Sequence, residues 1–132
     1  MRISRSTRYA LLAMGYIVRH QDEKIILSQD IAKAYNIPLE YLLKILQLMV
    51  RADILQSKRG PRGGFSLART PKKITMLQVL EAVEGPMAVR LDLAEHAPKE
   101  KFSAAAEKAY EKAVAQARNA FDKTKFSDLV KP

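Results

Sequence analysis

The spacing of apolar and polar residues predicts a mainly helical chain. Apolar residues recur every three or four positions in segments 7–20, 28–35 and 38–52, which places them on one face of a helix in each segment. Between the second and third segments, Asn36 tolerates the left-handed conformation of a helix end, and Pro38 suits the first position of the next helix. A short helix, a three-residue turn and a longer helix form a helix-turn-helix.

Polar residues at the edges of these segments are the candidate helix caps. Ser6 or Thr7 is expected to cap the first helix, and Ser28 is expected to cap the second. The apolar run 25–27 is too short for a helix and favours a brief strand.

A β-hairpin is predicted directly after the helix-turn-helix. Segments 54–58 and 65–67 have strand character, and the loop 59–64 between them is basic and rich in glycine. A hairpin in this position is the wing of a winged helix-turn-helix. Thr75 then caps a predicted helix over 76–84, which Gly-Pro ends.

The C-terminal third has a different pattern. Residues 87–101 show no clear period and are expected to form a connector with at most a short helical turn, whereas 102–121 is rich in alanine at coiled-coil spacing. The tail has an apolar patch that could dock on the body. We therefore predict a DNA-binding domain over 1–86, a connector over 87–101, and a dimerisation helix with its tail over 102–132. The expected dimer seam comprises Ala106, Tyr110, Ala113, Ala117 and Ala120.

The distribution of charge points to a polyanionic partner. The 132 residues carry a formal net charge of +9, with 23 Lys and Arg against 14 Asp and Glu. Residues 1–75 hold 14 of those basic residues and 5 of the acidic ones, so all of the excess lies in the predicted DNA-binding part. A solvated basic face is the alternative, but nucleic acid explains the excess more directly.

Candidate residues for base contacts lie in the first turns of the 38–52 helix. The major groove admits an α-helix and displays a distinct donor and acceptor pattern for each base pair. Glu40 could accept from a cytosine amino group, Tyr41 could contact phosphate or a thymine methyl, and Lys44 could reach guanine or phosphate, while Leu39 completes the turn. Alternatively, Glu40 and Lys44 form an ordinary pair one helical turn apart.

The wing and the N-terminus supply further basic candidates. Arg59 and Arg62 flank Gly60 and Pro61, and arginine side chains favour a narrow minor groove. A surface hairpin or a phosphate-binding loop are the alternatives, although this loop lacks the Gly-Lys-Ser/Thr ending of a nucleotide-binding loop. The N-terminal residues Arg2, Ser4, Arg5 and Arg8 either clamp phosphates or are merely solvated.

Several classes of function are disfavoured by composition. The chain has no cysteine, which excludes disulfides, thiolate metal sites and cysteine nucleophiles. Its two histidines, His20 and His96, lack metal-ligand spacing; Asp92, Glu95 and His96 form at most a weak candidate ion site. We expect no enzyme, no cofactor, no membrane span and a cytoplasmic location.

The sequence resembles one family over residues 1–86 nearly without gaps. The resemblance is carried by 1–4, 8–10, 31–32, 41–42 and 77–85, and most specifically by the wing Arg59-Gly60-Pro61-Arg62-Gly63-Gly64-Phe65-Ser66-Leu67. These residues are similar to those of the IscR/NsrR/CymR-type (Rrf) family of bacterial winged-helix regulators. Residues 126–130 resemble the motif after that family's long helix.

The resemblance implies a homodimer whose long helix crosses to the partner, with recognition helices in successive major grooves and the wing in the minor groove. It implies DNA-facing roles for Arg2, Ser4, Arg5, Ser28, Glu40, Tyr41, Lys44, Arg59, Gly60 and Arg62, to which the position of the two predicted elements adds Leu39 and Pro61.

Departures from the family pattern concern sensing and target choice. Many members of the family ligate an iron-sulfur cluster through three cysteines in the region that corresponds to 87–101. This chain has no cysteine. Thr7 stands where many relatives have glycine, and Leu43 where the cluster regulators often have an acidic residue. We expect a DNA-binding regulator, most simply a repressor, that responds to a small molecule between connector and long helix, to a protein, or to no effector. The alternative is a winged-helix protein-interaction module.

Overall fold

A computed structural model describes residues 4–58, 60, 63–87 and 90–131. The elements in chain order are α1 (Arg5–Arg19), β1 (Ile26–Leu27), α2 (Ser28–Tyr35), α3 (Leu39–Arg51), β2 (Leu55–Lys58), β3 (Gly64–Leu67), a 3-10 turn (Pro71–Lys73), α4 (Met76–Glu84), α5 (Leu93–His96), α6 (Lys101–Lys123) and α7 (Phe126–Leu129). The predicted fold class, mainly helical with a small hairpin wing, is confirmed.

The helix-turn-helix comprises α2, α3 and the turn between them. Asn36 ends α2 in the left-handed conformation, with φ 54° and ψ 48°. Pro38 precedes the first turn of α3 as its N-cap, so that α3 begins at Leu39, one residue later than predicted. Ile37 is buried between the two helices' ends, which fixes the turn against the core.

Two predicted helix caps are wrong. Helix α1 is capped by Ser4, whose hydroxyl accepts a hydrogen bond from the Thr7 backbone N–H, rather than by Ser6 or Thr7. Helix α2 follows Leu27, which makes no side-chain cap bond, and Ser28 is the first helical residue. Tertiary contacts described below occupy the hydroxyls that local spacing assigns to capping.

The sheet has three antiparallel strands in the order β1-β3-β2. The wing hairpin pairs Leu55 with Leu67 at its base and Lys58 with Gly64 toward its tip, while Leu27 of β1 also pairs with Gly64. A Cβ atom at Gly64 would collide with the side chain of Ile25. Glycine at this position therefore allows the strand before the helix-turn-helix to join the wing.

One hydrophobic core unites helices α1–α4 and α7 with the sheet. Helix α4 begins at Thr75 with a capping box, in which Thr75 and Gln78 exchange side-chain and backbone hydrogen bonds. This helix packs against α1 and α3. The largest fully buried side chains are Phe65, Phe126, Met14, Ile17, Ile26, Ile31, Leu42, Leu46, Met49, Ile54, Leu55 and Ile74.

The C-terminal tail returns to this core, as its apolar patch predicted. Phe126 of α7 is 2% exposed and belongs to the core cluster. Its backbone N–H donates to the Ile74 carbonyl at 2.9 Å, and the Met76 N–H donates to the Thr124 carbonyl at 2.8 Å. Within the described residues, no helix combines the length and apolar character needed to cross a lipid bilayer.

Candidate nucleic-acid interface

The first turn of α3 is joined to the first turns of α1. The hydroxyls of Ser6 and Tyr41 lie 2.6 Å apart and form a hydrogen bond. The Tyr41 ring also packs edge-on against the ring of Tyr9, with centroids 5.5 Å apart and an interplanar angle of 88°. Two contacts of the Tyr41 side chain therefore place the N-terminal ends of α1 and α3 side by side.

This junction presents exposed charges of both signs. Arg5 and Arg8 on α1 are exposed, as are Glu40 and Lys44 on α3. Their position beside the first turn of α3 suits cations that contact phosphates next to a groove, with Glu40 and Lys44 on the helix that would enter it.

Two residues predicted to face DNA at this junction have structural contacts. Leu39 is half-buried and packs against the core cluster. Tyr41 is likewise half-buried, held by Ser6 and Tyr9. These contacts orient the first turn of α3, whose outward side belongs to Glu40 and Lys44.

Ser28 fastens the wing to the helix-turn-helix. Its side chain is fully buried, and both its hydroxyl and its backbone N–H donate to the Gly63 carbonyl, at 3.3 and 3.2 Å. A residue buried in this way does not offer its hydroxyl to DNA, so the structure does not support the predicted DNA contact of Ser28. Ser28 instead fixes where the wing leaves the body.

The described part of the wing loop forms a tight turn. Gly60 has φ 86°, a conformation that strains residues with a side chain. Its carbonyl accepts hydrogen bonds from the Ser57 hydroxyl at 3.0 Å and from the Gly63 N–H at 3.2 Å. The predicted contacts Arg2, Arg59, Pro61 and Arg62 lie outside the described residues.

Ser4 and Thr7 meet a carboxylate from a distant part of the chain. The Thr7 hydroxyl donates to Glu84 Oε1 at 2.6 Å, and the Ser4 hydroxyl donates to the same oxygen. Glu84 is not among the residues predicted from the sequence, because it lies 77 residues after Thr7 and no local spacing links the two.

The connector is held by two further carboxylates. Glu81 of α4 accepts a hydrogen bond from the Met87 N–H at 3.0 Å and pairs with Arg118 of α6 at 3.4 Å. Glu107 of α6 accepts from the N–H groups of Leu91 and Leu93, at 2.7 and 3.1 Å.

The bonds from Leu91 and then Leu93 stabilise the carboxylate and hold the pKa of Glu107 below its usual range. Glu107 thus bridges the space between connector and α6, which is the place expected for a small-molecule pocket.

The predicted seam runs along a largely uncovered side of α6. Ala106, Ala113 and Ala120 are exposed, while Tyr110 and Ala117 are half-buried. Val114, one helical turn from both Tyr110 and Ala117, is buried, so the predicted seam borders the packed side of α6.

The sequence matches one family along almost its whole length. The profile of Rrf2, described as an iron-dependent transcriptional regulator, matches residues 3–132. The chain is 31% identical over 86 residues to the HTH-type transcriptional regulator IscR of Cereibacter sphaeroides, an alignment that covers 64% of this chain and 56% of that protein. In general, the chain spans little more than half the length of the curated relatives it matches.

Solved structures agree on the architecture. CymR, the global cysteine regulator of B. subtilis, is 25% identical and superposes with a TM-score of 0.77 over 98% of this chain and 95% of that one. The oxidised form of Staphylococcus aureus CymR has a TM-score of 0.79 at 21% identity, covering 100% of this chain and 98% of that one. The profile match, with this shared fold, shows that the chain belongs to the Rrf2 family of transcriptional regulators.

Proposed function

We propose that the protein binds a palindromic promoter site as a homodimer in the bacterial cytoplasm and represses transcription there. The observation that carries the proposal is the hydrogen bond between Ser6 and Tyr41, because it aligns the basic start of α1 with the first turn of α3. Arg5 and Arg8 would contact phosphates, while Lys44 and Glu40 would contact base edges in the major groove.

The charge distribution supports this orientation. Residues 1–75 carry the whole excess of +9. Because contacts between cations and phosphates release counterions, affinity should fall steeply with salt. Arg59 and Arg62 would enter the minor groove from the wing, and Arg2 would add a phosphate contact; these three assignments rest on the sequence.

A second copy of the chain would cover the exposed alanine seam of α6. The helix has 23 residues, about 35 Å at 1.5 Å per residue, and the alanines Ala106, Ala113 and Ala120 permit close approach of another helix. Phe102, at the start of the same helix, is 63% exposed. A two-fold dimer built on this seam would present two DNA-binding domains, one from each protomer, to a palindromic site.

The residues of this chain do not fit the iron site that the family description implies. An iron-sulfur cluster of this family type needs thiolate ligands, and the chain has no cysteine. Among the described residues of one chain there is no group of three or more histidine, aspartate and glutamate side chains placed to hold a metal ion. We infer that regulation in this protein does not use a cluster in the connector.

Selection of bound sequences from a random pool of duplex DNA tests the proposal. The expected result is a palindrome with half-sites about one helical turn, or a multiple of one turn, apart. Replacing Lys44 with alanine should relax base preference at one position per half-site, at a cost of about 1–3 kcal/mol for the preferred base. Arg59→Ala should weaken binding most where the wing meets A·T pairs.

Lys112→Ala on α6 is the matched control, because it removes an exposed lysine from the part of the chain without excess charge. Binding without base preference or steep salt dependence would refute the proposal and favour a protein-interaction module. If Lys44→Ala and Arg59→Ala lower the affinity equally for all DNA sequences, both residues contact phosphates and do not read bases or groove shape.

A further inference from the structure

The last residue of α4 determines how α1 begins. Glu84 accepts hydrogen bonds from Thr7 Oγ1, at 2.6 Å, and from the Ser4 hydroxyl. The Ser4 oxygen in turn accepts the Thr7 backbone N–H at 3.2 Å, which is the N-cap bond of α1. One carboxylate thus fixes both the capping residue and the first turn of α1.

Electrostatics alone does not explain an acidic residue at this place. A carboxylate in the last turn of a helix meets the negative end of the helix dipole, which is unfavourable. Thr7 is 4% exposed, and a buried hydroxyl requires a hydrogen-bond partner. The two hydroxyl donors offset the unfavourable position of the Glu84 charge, and Glu84 satisfies the buried hydroxyl.

The turn that Glu84 fixes is the one that presents the basic residues. Arg5 and Arg8 project from it into solvent, and Ser6 in the same turn holds Tyr41 at the start of α3. We propose that Glu84 is a positioning residue for DNA binding, which holds the first turns of α1 so that Arg5 and Arg8 reach phosphates beside the groove entered by α3. This inference rests on the proposed function.

The direction in which loss of the Glu84 carboxylate changes DNA affinity separates positioning from simple electrostatics. A carboxylate near a polyanion repels it, so removing the charge should tighten binding if Glu84 has no other role. Positioning predicts the reverse. With the full chain and the selected duplex, Glu84→Ala should raise Kd about five- to tenfold, which corresponds to about 1–1.4 kcal/mol, the net contribution of one typical intramolecular hydrogen bond. The salt slope of log K should shrink by about one for each phosphate that Arg5 or Arg8 no longer neutralises.

Two further variants keep the test independent of folding defects. Glu84→Gln retains a carbonyl oxygen for the hydroxyls while removing the charge, so its Kd should lie closer to wild type than that of Glu84→Ala. Thr7→Val removes one donor with little change of shape and should weaken binding. Combined with Glu84→Ala, Thr7→Val should cause no further loss of DNA affinity, because both changes break the hydrogen bond between Thr7 and Glu84. Glu23→Gln, in the exposed turn beyond the other end of α1, is the charge control.

The outcomes distinguish this inference from the proposed function. If wild-type protein binds the selected duplex and Glu84→Ala binds it equally well or more tightly, the positioning role is wrong and the proposed function stands. Weaker binding by Glu84→Ala with an unchanged salt slope also overturns the positioning role, because the phosphate contacts would be intact. If wild-type protein shows no sequence preference, both fail together.

Discussion

Replacing Phe126 with alanine tests whether α7 is a structural part of the body. Phe126 is 2% exposed and lies within the core cluster, although it belongs to a four-residue helix at the end of the chain. Removing the ring would leave a cavity against the core, and the flanking backbone bonds to Ile74 and Met76 would have to hold the tail without it.

The magnitude follows from the buried area. A buried phenylalanine withdraws about 150–250 Å² from water. At about 25 cal/mol per Å², this gives about 4–6 kcal/mol. An extended reference chain overstates the area, and large-to-small substitutions of Phe in cores cost about 3–5 kcal/mol. We expect a loss of about 3–5 kcal/mol in the free energy of unfolding for Phe126→Ala.

Urea denaturation at a fixed protomer concentration measures this loss, since the proposed dimerisation would make apparent stability depend on concentration. The matched control is Leu129→Ala in the same short helix, where the side chain is 51% exposed and the loss should stay within about 1 kcal/mol. Equal effects of the two substitutions, or a loss below about 1 kcal/mol for Phe126→Ala, would refute the docked position of α7.

Three further substitutions probe the junction of α1 with α3, the packing of the wing against β1, and the connector. Tyr41→Phe removes the 2.6 Å bond to Ser6 and should cost about 0.5–1.5 kcal/mol in thermal unfolding; unchanged stability would show that the bond is absent in solution. Gly64→Ala should destabilise the protein by about 1–3 kcal/mol in urea, because its Cβ meets the Ile25 side chain; a stabilised variant would contradict the packing of β1. Because the folded pKa of Glu107 is lowered, its stabilisation of the connector should be present above the ordinary glutamate pKa and disappear as pH falls through the lower folded value. The loss should appear as lower protection of the connector amides against hydrogen exchange, relative to the intrinsic exchange rate at each pH. Glu107→Gln should flatten that pH dependence, and identical profiles for the two proteins would exclude the assigned role.

The sequence predicted the elements better than their ends. Helical periodicity located α1, α3 and α4 because each buries one face, and that requirement is visible in local spacing. The capping errors at Ser6 and Ser28 have a different cause. Both hydroxyls are good local caps, but each bonds a distant group instead, Tyr41 in one case and Gly63 in the other. A hydrogen bond to a distant residue cannot be predicted from the local spacing of residue types.

The candidate site was predictable where it depends on composition and turn chemistry. The excess of positive charge and the glycine-rich loop indicated the basic face and the wing without knowledge of the fold. The supporting contacts were not predictable: Glu84 acts on Thr7 across 77 residues, and Glu107 binds backbone N–H groups, which have no residue signature.

The fastening of Gly63 by Ser28 has a consequence for how DNA shape would be sensed. Both donors of Ser28 bind one carbonyl at the base of the wing loop, which ties that base to the start of α2, the first helix of the helix-turn-helix. On the proposed function, this tie would hold the wing at a set distance from the helix that enters the major groove. DNA whose twist or groove width does not match that distance would have to deform to fit, at an energetic cost that depends on its sequence. Base pairs that no side chain touches would then still contribute to the choice of site.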